Sequence, residues 1–525
     1  MSRTIKATLA AVLLSGAAFG TALADSVKIK TLGGGMAISG ELVEFDENFL
    51  TILTKMGRVR IPRSASICEG VGCPAAAGQA AAIASSGDVL ITGSQSIGAA
   101  LLPRLLEGFA SQLGAKVTVD FDGANRRMVS RLQADDGSEL TKVSLRLGST
   151  ASAFDDLLNG DASLILSSRR ATAREAQKFI DAGLGDIRNE GNEAVIALDG
   201  LAILVEPGND LPALTMDDLV GIVSGEITDW SAVGGNPGPI NLFLPPATDE
   251  IFQSFSDEIL RPRRRRPVTN ADQRFSGVEL STAVAQTAGA IGLAPLSQRG
   301  DARPLPLKLG CGLLAEPDSF SVKAEEYPLT RRIYLYSRNA ALPGPSSDFF
   351  TFAQSARGQD GVQDIGFIDQ RIVKRTVNEQ GLRFVSAIVA EQSPDQLSNL
   401  QDMASAVLTA TRLSPTLRFN TGSSELDTKA LSDIKRLVEV LGDPEFEGKE
   451  VILLGFTDAV GRPDINQIIA TERAAQVREQ LTRQAAGRVA VSAINSIGYG
   501  PIAPVGCNDE ASGREANRRV EVWVR

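Results

Sequence analysis

The sequence Gly455-Phe456-Thr457-Asp458 follows the apolar run Val451–Leu454. The apolar run predicts a β-strand, so Asp458 stands where that strand ends. A helix is predicted from Asn466 onward, because apolar residues recur there at helical spacing. Arg473 lies seven residues after Asn466, which puts both side chains on one face of this helix. A carboxylate and a guanidinium in these places can hold the two charged ends of one small zwitterion.

The same region ends in the run Asn517-Arg518-Arg519-Val520. In this order the residues resemble the OmpA C-terminal family, in which Thr-Asp, Asn, Arg-Ala and a final Asn-Arg-Arg-Val recur. The resemblance implies an αβ domain over residues 412–525 that binds the diaminopimelate of peptidoglycan. It assigns the contacts to Asp458, Asn466, Arg473 and Arg518.

One residue departs from the family pattern, since Phe456 stands where His is usual. The change alters the local polarity and leaves the charged residues in place. An alternative interpretation of the motif needs no ligand. In it, Asp458 and Arg473 form an internal salt bridge.

The first 24 residues predict a secretory signal peptide. Arg3 and Lys6 precede an apolar centre, and Ala22-Leu23-Ala24 offers a cleavage site. No later stretch approaches 18 consecutive apolar residues, so no further membrane-spanning helix is expected. The net charge of −10 argues against nucleic acid as a partner. We therefore predict a periplasmic protein associated with the cell wall and the outer membrane.

Histidine is absent from the sequence, which removes Ser-His-Asp and Cys-His catalysis and most catalytic zinc sites. We therefore expect that the protein is not an enzyme and that it binds neither a cofactor nor a metal ion. Cys68 and Cys73 predict a local disulfide in an oxidising compartment, with a two-thiolate metal clip as the weaker alternative. Cys311 and Cys507 lie in different predicted domains, and the sequence leaves open whether they pair.

Residues 25–74 contain short β-like runs separated by turns, which predicts a small β module. Its expected role is that of an adaptor or packing module. Residues 75–87 are rich in Ala, Gly and Ser and predict a linker. A second, helical linker is predicted at residues 373–411, where apolar residues recur at helical spacing.

Residues 88–372 repeat the pattern strand, loop, helix, which predicts α/β layers. Gly93-Ser94-Gln95-Ser96 and Gly148–Ser152 each open a helix, and Ser167–Arg170 ends a strand. These motifs resemble the PstS-like phosphate-binding proteins of ABC transporters along nearly all of this region. The resemblance implies two lobes that close on an anion, and a transporter permease as a partner. It assigns the anion site to Ser94, Gln95, Ser96, Ser149, Thr150, Ser152, Ser168 and Arg169.

Elementary chemistry agrees with this placement, because loops before helices present unpaired N–H groups at the positive end of the helix dipole. The alternative is that Ser96 and Ser152 are only helix N-caps. One stretch departs from the family, since the Arg and the Ser-Gly expected near residues 244–250 are missing. Asp249 and Glu250 stand there instead and would repel a dianion, although one acid could accept a proton from a monoprotonated oxyanion.

The run Arg261–Pro267 contains five arginines and predicts either an anion contact or, more often, a solvated loop. The fold class is therefore α/β: a small β module, a two-lobed periplasmic-binding-protein fold and an OmpA-like αβ domain. The predicted function is capture of phosphate or a related anion by a protein that the OmpA-like domain holds on peptidoglycan. The alternative is an envelope scaffold or interaction protein with a vestigial solute site.

Overall fold

The computed structural model describes residues 26–31, 37–45, 49–54, 57–62, 66–69, 88–122, 127–338, 344–390, 394–420, 425–489 and 494–525. The predicted signal peptide and the predicted linker at 75–87 lie outside these residues. The predicted disulfide between Cys68 and Cys73 also lies outside them, because the Cys68 side chain and all of Cys73 are not described. The chain divides into two compact units, Met1–Gln79 and Ala80–Arg525.

The first unit contains strands where its sequence predicts a small β module, and one further strand, β5. They form one antiparallel sheet in the order β4-β3-β2-β1-β5. The apolar side chains Ile29, Leu50, Ile52 and Ile61 form its core. The strands are β1 (Ser26–Thr31), β2 (Ala37–Phe45), β3 (Phe49–Thr54), β4 (Gly57–Pro62) and β5 (Ser66–Glu69).

The second unit begins with two lobes built on one long mixed sheet, in the order β14-β13-β15-β11-β19-β10-β6-β9-β8-β7, with β16 beside β11. A small sheet, β12-β17-β18, flanks it. The strands are β6 (Val89–Ser94), β7 (Lys116–Asp122), β8 (Arg127–Gln133), β9 (Glu139–Gly148), β10 (Leu164–Ser167), β11 (Glu193–Val205), β12 (Leu214–Thr215), β13 (Asn241–Leu244), β14 (Asp272–Gln273), β15 (Ala290–Pro295), β16 (Arg303–Pro304), β17 (Leu307–Lys308), β18 (Leu314–Ala315) and β19 (Thr330–Ser337).

Helices cover both faces of this sheet: α1 packs on Leu164 and Leu166 of β10, and α2 packs on Ile165 on the other face. A π-helical turn, Ser256–Leu260, follows α5. The helices are α1 (Gln95–Gln112), α2 (Thr150–Asn159), α3 (Ala173–Asp181), α4 (Met216–Val223), α5 (Glu250–Phe255), α6 (Gly277–Gln286), α7 (Ser319–Lys323), α8 (Pro345–Gln354) and α9 (Ala356–Asp364).

Strand β11 runs through both lobes. All 13 of its residues are buried, which explains its nearly continuous apolar sequence. From Glu193 to Gly200 it pairs with β19, and from Leu201 to Val205 it pairs with β15. The two lobes therefore share one strand, and the change of partner at Gly200 marks the boundary between them.

The C-terminal part forms a five-stranded sheet in the order β20-β21-β24-β22-β23. Val520, Val522 and Val524 face the core under α12 and α13, while Trp523 faces the opposite core, because successive strand residues point to opposite faces. The elements are β20 (Lys374–Thr376), α10 (Gly381–Ala390), α11 (Pro394–Val407), β21 (Thr411–Arg418), α12 (Thr428–Val440), β22 (Val451–Gly455), α13 (Pro463–Ala485), β23 (Ile494–Gly498), α14 (Ala511–Asn517) and β24 (Arg519–Val524).

A disulfide joins Cys311, in the lobes, to Cys507, in the C-terminal domain. Two ion pairs strengthen the same interface from the lobe that contains β19. Arg332 contacts Asp427 at 2.8 Å, and Lys435 contacts Glu190. The C-terminal domain is therefore packed against the lobes and covalently bound to them.

Candidate functional site

Three polar loops meet at one edge of the lobe sheet. Strands β10, β6 and β9 are parallel neighbours, so the loops that follow them lie at the same end. The structure brings Thr150 and Ser168 into contact, with 3.1 Å between their hydroxyl oxygens. The Ser168 N–H also donates to the Thr150 hydroxyl at 3.2 Å. Ser94 lies fully buried at the start of α1 on the same edge.

Ser149 is the N-cap of α2. Its hydroxyl accepts a hydrogen bond from the Ser152 N–H at 3.1 Å, and the two hydroxyl oxygens are 3.0 Å apart. Ser149, rather than Ser152, is therefore the capping residue here. Gln95 and Ser96 open α1, but their side chains lie outside the described part of the chain.

Glu250, from the opposite lobe, reaches the N-terminus of α2. Its Oε1 accepts a hydrogen bond from the Thr150 N–H at 2.8 Å. Its Oε2 is buried and has no hydrogen-bond partner among the described residues. Asp249 instead caps its own helix, accepting from the N–H groups of Ile251 and Phe252 at 2.9 and 3.0 Å. A carboxylate of the protein thus lies where the sequence predicts a bound anion.

Arg169 is paired within its own lobe. Its guanidinium donates two hydrogen bonds to the Glu175 carboxylate, both at 2.8 Å, and lies 5.5 Å from the centre of the Phe154 ring. The hydrogen bonds to Glu175 raise the pKa of Arg169 and keep it charged. The Arg169 guanidinium lies near the predicted anion site, but Glu175 already accepts the two hydrogen bonds that it could donate to an anion.

A cavity of about 520 Å³ lies between the two lobes and the C-terminal domain. Ser168 and Arg169 line it from one lobe, Glu258 from the other, and Phe419 from the C-terminal domain. Burial raises the pKa of Glu258. Arg331 also lines the cavity, and its Nε and Nη1 are buried without a partner among the described residues. The sequence analysis did not identify this cavity. The adjacent Arg331 and Arg332 at the start of β19 are the sequence signal that could have indicated it.

The arginine-rich run Arg261–Pro267 is largely neutralised by nearby acids, which agrees with the solvated-loop interpretation. Its ion pairs are Arg261–Asp257 at 2.8 Å, Arg263–Asp217 at 3.4 Å and Arg265–Glu226 at 2.6 Å.

The second candidate site lies in the C-terminal domain, where β22 ends. Asp458 accepts from the Val460 N–H at 3.0 Å through Oδ1 and from Arg518 at 2.9 Å through Oδ2. Asn466 is buried and donates to the Val460 carbonyl oxygen at 3.1 Å. Asn466 therefore fixes the loop that carries Asp458.

Arg473 lies on the same helix as Asn466 and faces Phe419, 5.2 Å from the ring centre. Burial, together with the charge of Arg518, lowers the pKa of Arg473. No carboxylate of the described residues forms an ion pair with it, so the predicted alternative of an internal Asp458–Arg473 salt bridge does not occur. Asp458 pairs with Arg518 instead.

Phe456 is fully buried beside the candidate site. Its ring stacks on Tyr499, with 6.3 Å between the ring centres, and Arg519 lies 4.1 Å above it. Burial lowers the pKa of Arg519 to about 9. The ring therefore supports the sheet behind the site and has no polar contact to offer a ligand.

Two lobes that share a strand, with polar loops at one sheet edge, define the class of two-lobed binding proteins. The chain belongs to the PBP superfamily, whose domain matches residues 76–357, and carries an OmpA family domain at residues 418–518. Both resemblances predicted from the motifs are thereby confirmed. Among the described residues, no helix has the length and apolar character needed to cross a membrane.

The phosphate-binding protein PstS of Borreliella burgdorferi is 23% identical over 234 residues, which is 43% of this chain and 80% of that protein. Outer membrane porin F of Pseudomonas aeruginosa is 31% identical over 137 residues, 26% of this chain and 38% of that protein. The chain thus spans well under half of porin F. A solved ABC-type phosphate transport receptor from Vibrio cholerae is 21% identical, with 54% of this chain and 99% of that chain covered and a TM-score of 0.40.

Proposed function

We propose that this chain is a cell-envelope binding protein whose OmpA-like domain holds peptidoglycan non-covalently through its diaminopimelate. Arg473 carries the proposal, because it is a half-buried guanidinium without a carboxylate partner among the described residues, next to the Asp458–Arg518 pair. A ligand carboxylate can pair with Arg473, and a ligand ammonium can share Asp458. Asn466 positions the loop, and Arg518 orients Asp458.

Cosedimentation of the full chain with purified peptidoglycan tests this proposal. Arg473→Ala should lower the affinity for peptidoglycan about tenfold, because a charged hydrogen bond is lost. The matched control is Arg483→Ala on the same helix, where the arginine pairs with Glu479 on the exposed surface. Free diaminopimelate should compete with the wall. Unchanged sedimentation of folded Arg473→Ala would reject the assignment.

The two-lobed domain, in this proposal, captures phosphate or a related small oxyanion at the sheet edge that carries Ser94, Ser149, Thr150 and Ser168. Helix N-termini offer N–H donors there, and the PstS relative is a phosphate-binding protein. Gln95, Ser96, Ser152 and Arg169 complete the proposed site. The same resemblance makes an ABC transporter permease the proposed partner. No catalysis or cofactor is part of the proposal.

The proposed location is the periplasm, at the cell wall and outer membrane. The predicted signal peptide supports export. Relatives such as outer membrane porin F support an envelope location.

A second function, an envelope scaffold with a vestigial solute site, is favoured by Glu250. Its carboxylate already accepts the Thr150 N–H that an anion would use. Calorimetric titration of the full chain with phosphate and sulfate separates the two functions. Anion capture predicts a heat of binding that Ser149→Ala weakens, whereas the scaffold predicts no heat with either anion.

A further inference from the structure

Helix α2 has an anionic partner that comes from the protein itself. The Thr150 N–H, at its first turn, donates to Glu250 Oε1 at 2.8 Å, although the two residues are 100 positions apart. Glu250 belongs to α5 in the opposite lobe, so the contact crosses the cleft. The first-turn acid of α5 thus interacts with the positive end of a different helix, while Asp249 caps α5 itself.

The second carboxylate oxygen strengthens this interpretation. Glu250 Oε2 is buried and has no hydrogen-bond partner among the described residues. A buried acceptor without a partner destabilises the fold. The hydrogen bonds offered here therefore do not fully satisfy the Glu250 carboxylate. Among the described residues, only one of the two Glu250 carboxylate oxygens has a hydrogen-bond donor.

The surroundings are those of an anion position. Thr150 and Ser168 present hydroxyl groups beside the helix end, 3.1 Å apart. The Glu250 carboxylate also contributes, after Glu175, to the raised pKa of Arg169. One backbone donor, the Thr150 N–H, thus binds a carboxylate that arrives from the other lobe, with two hydroxyl groups close by.

We propose that the Glu250 carboxylate is the internal occupant of the anion position and sets its selectivity, because an external anion must displace it. This inference rests on the proposed anion capture by the two-lobed domain. Phosphate therefore competes with a tethered carboxylate for the N-terminus of α2. The natural chain binds free oxyanions weakly, and removal of the Glu250 carboxylate exposes a stronger site.

The test compares the full natural chain with Glu250→Ala and Glu250→Gln by calorimetric titration with phosphate and sulfate at constant ionic strength. Glu250→Ala should bind phosphate at least about tenfold more tightly, because a charged hydrogen bond no longer competes. Glu250→Gln should show a smaller gain, since its amide oxygen can still accept from Thr150. Adding Ser168→Ala to Glu250→Ala should remove the gain.

Glu279→Gln is the matched control, an exposed acid in the first turn of α6 in the same lobe as Glu250. Its phosphate affinity should equal that of the natural chain. Amide hydrogen exchange supplies a readout that needs no anion. The Thr150 amide should exchange faster in Glu250→Ala and slow again when phosphate is added.

The outcomes separate the inference from the proposed function. If the natural chain binds phosphate and Glu250→Ala binds it equally or more weakly, the inference is overturned while anion capture stands. If no variant binds either anion, anion capture fails and the inference fails with it. Binding by Glu250→Ala alone supports the inference and transfers the natural function to the scaffold.

Discussion

At Gly455, β22 lies directly against the backbone of α13. A Cβ atom built on it would lie 2.1 Å from the Ala470 carbonyl oxygen and 3.1 Å from the Ala474 Cβ. No side chain fits in this space. The glycine therefore sets the distance at which the helix carrying Asn466 and Arg473 packs behind the loop of Asp458.

Gly455→Ala should destabilise the C-terminal domain by about 3 kcal/mol, because the added methyl group must push the helix backbone away from the sheet. The measurement is the midpoint of chemical unfolding followed by circular dichroism. Gly381→Ala is the control, since a Cβ at Gly381 meets no atom within 4 Å. Equal midpoints for both variants would contradict this packing.

At this scale the sequence predicted which residues share a face, because a helical period is a local property. It did not predict which guanidinium Asp458 pairs with. Arg518 lies 60 positions away from Asp458 and reaches it at 2.9 Å. Such a choice depends on the placement of separate elements to within an ångström, which no local spacing encodes.

At the scale of the elements, the turn between α7 and β19 forms ionic contacts with the C-terminal domain. The Glu325 carboxylate contacts Arg332 at 2.8 Å and Arg418, on β21, at 3.2 Å. Burial alone would raise the pKa of Glu325, but the charges of Arg332, Lys429 and Arg418 outweigh burial. They hold the pKa of this carboxyl well below its ordinary value.

A carboxyl group with a lowered folded-state pKa stabilises the fold above its unfolded pKa, about 4.3 for Glu, and loses that contribution as the pH falls. Glu325→Gln should therefore cost about 3 kcal/mol at pH 7, because it leaves buried arginines with less compensation. The difference from the natural chain should shrink below about pH 4. Thermal unfolding at pH 7 and at pH 3.5 measures both effects.

Glu479→Gln is the control for this experiment, since Glu479 forms an exposed ion pair with Arg483. Its unfolding midpoint should change little at either pH. A difference between Glu325→Gln and the natural chain that stays constant with pH would contradict the assignment of the charge.

The elements themselves were largely predictable from periodicity, but their packing partners were not. The helical spacing within residues 373–411 predicts a helix, and the structure has α11 there, at Pro394–Val407. Leu400, Met403 and Val407 of this helix pack against the second face of the C-terminal sheet. An apolar helix face indicates that another element packs against it, but it does not identify that element. The segment predicted as a linker thus also contributes to the C-terminal core.

In the whole molecule, the bond between Cys311 and Cys507 ties two domains together across 196 positions. The sequence could not decide this pairing, because cysteine spacing does not by itself determine which cysteines pair. The same limit applied to Glu250 and Thr150. Both contacts follow from how the domains and lobes are arranged, and that arrangement is the least local property of the chain.

Breaking this disulfide should lower the stability of the folded chain by roughly 2–4 kcal/mol, since a long loop is released in the unfolded state. The double variant Cys311→Ser with Cys507→Ser, compared with the natural chain by thermal unfolding, measures the effect. Dithiothreitol added to the double variant is the control. A further fall of the unfolding midpoint on adding dithiothreitol would be due to the remaining cysteines. An unchanged midpoint in the double variant would contradict the prediction.

The cross-domain disulfide also decides how the molecule carries mechanical load. A pull on the C-terminal domain enters the lobes through the covalent bond at Cys311. The backbone between the two cysteines lies inside the loop that this bond closes, so it cannot extend under load until the bond is reduced. Under load, the oxidised chain should therefore extend less than the reduced chain, a difference that single-molecule stretching would record as a change in contour length.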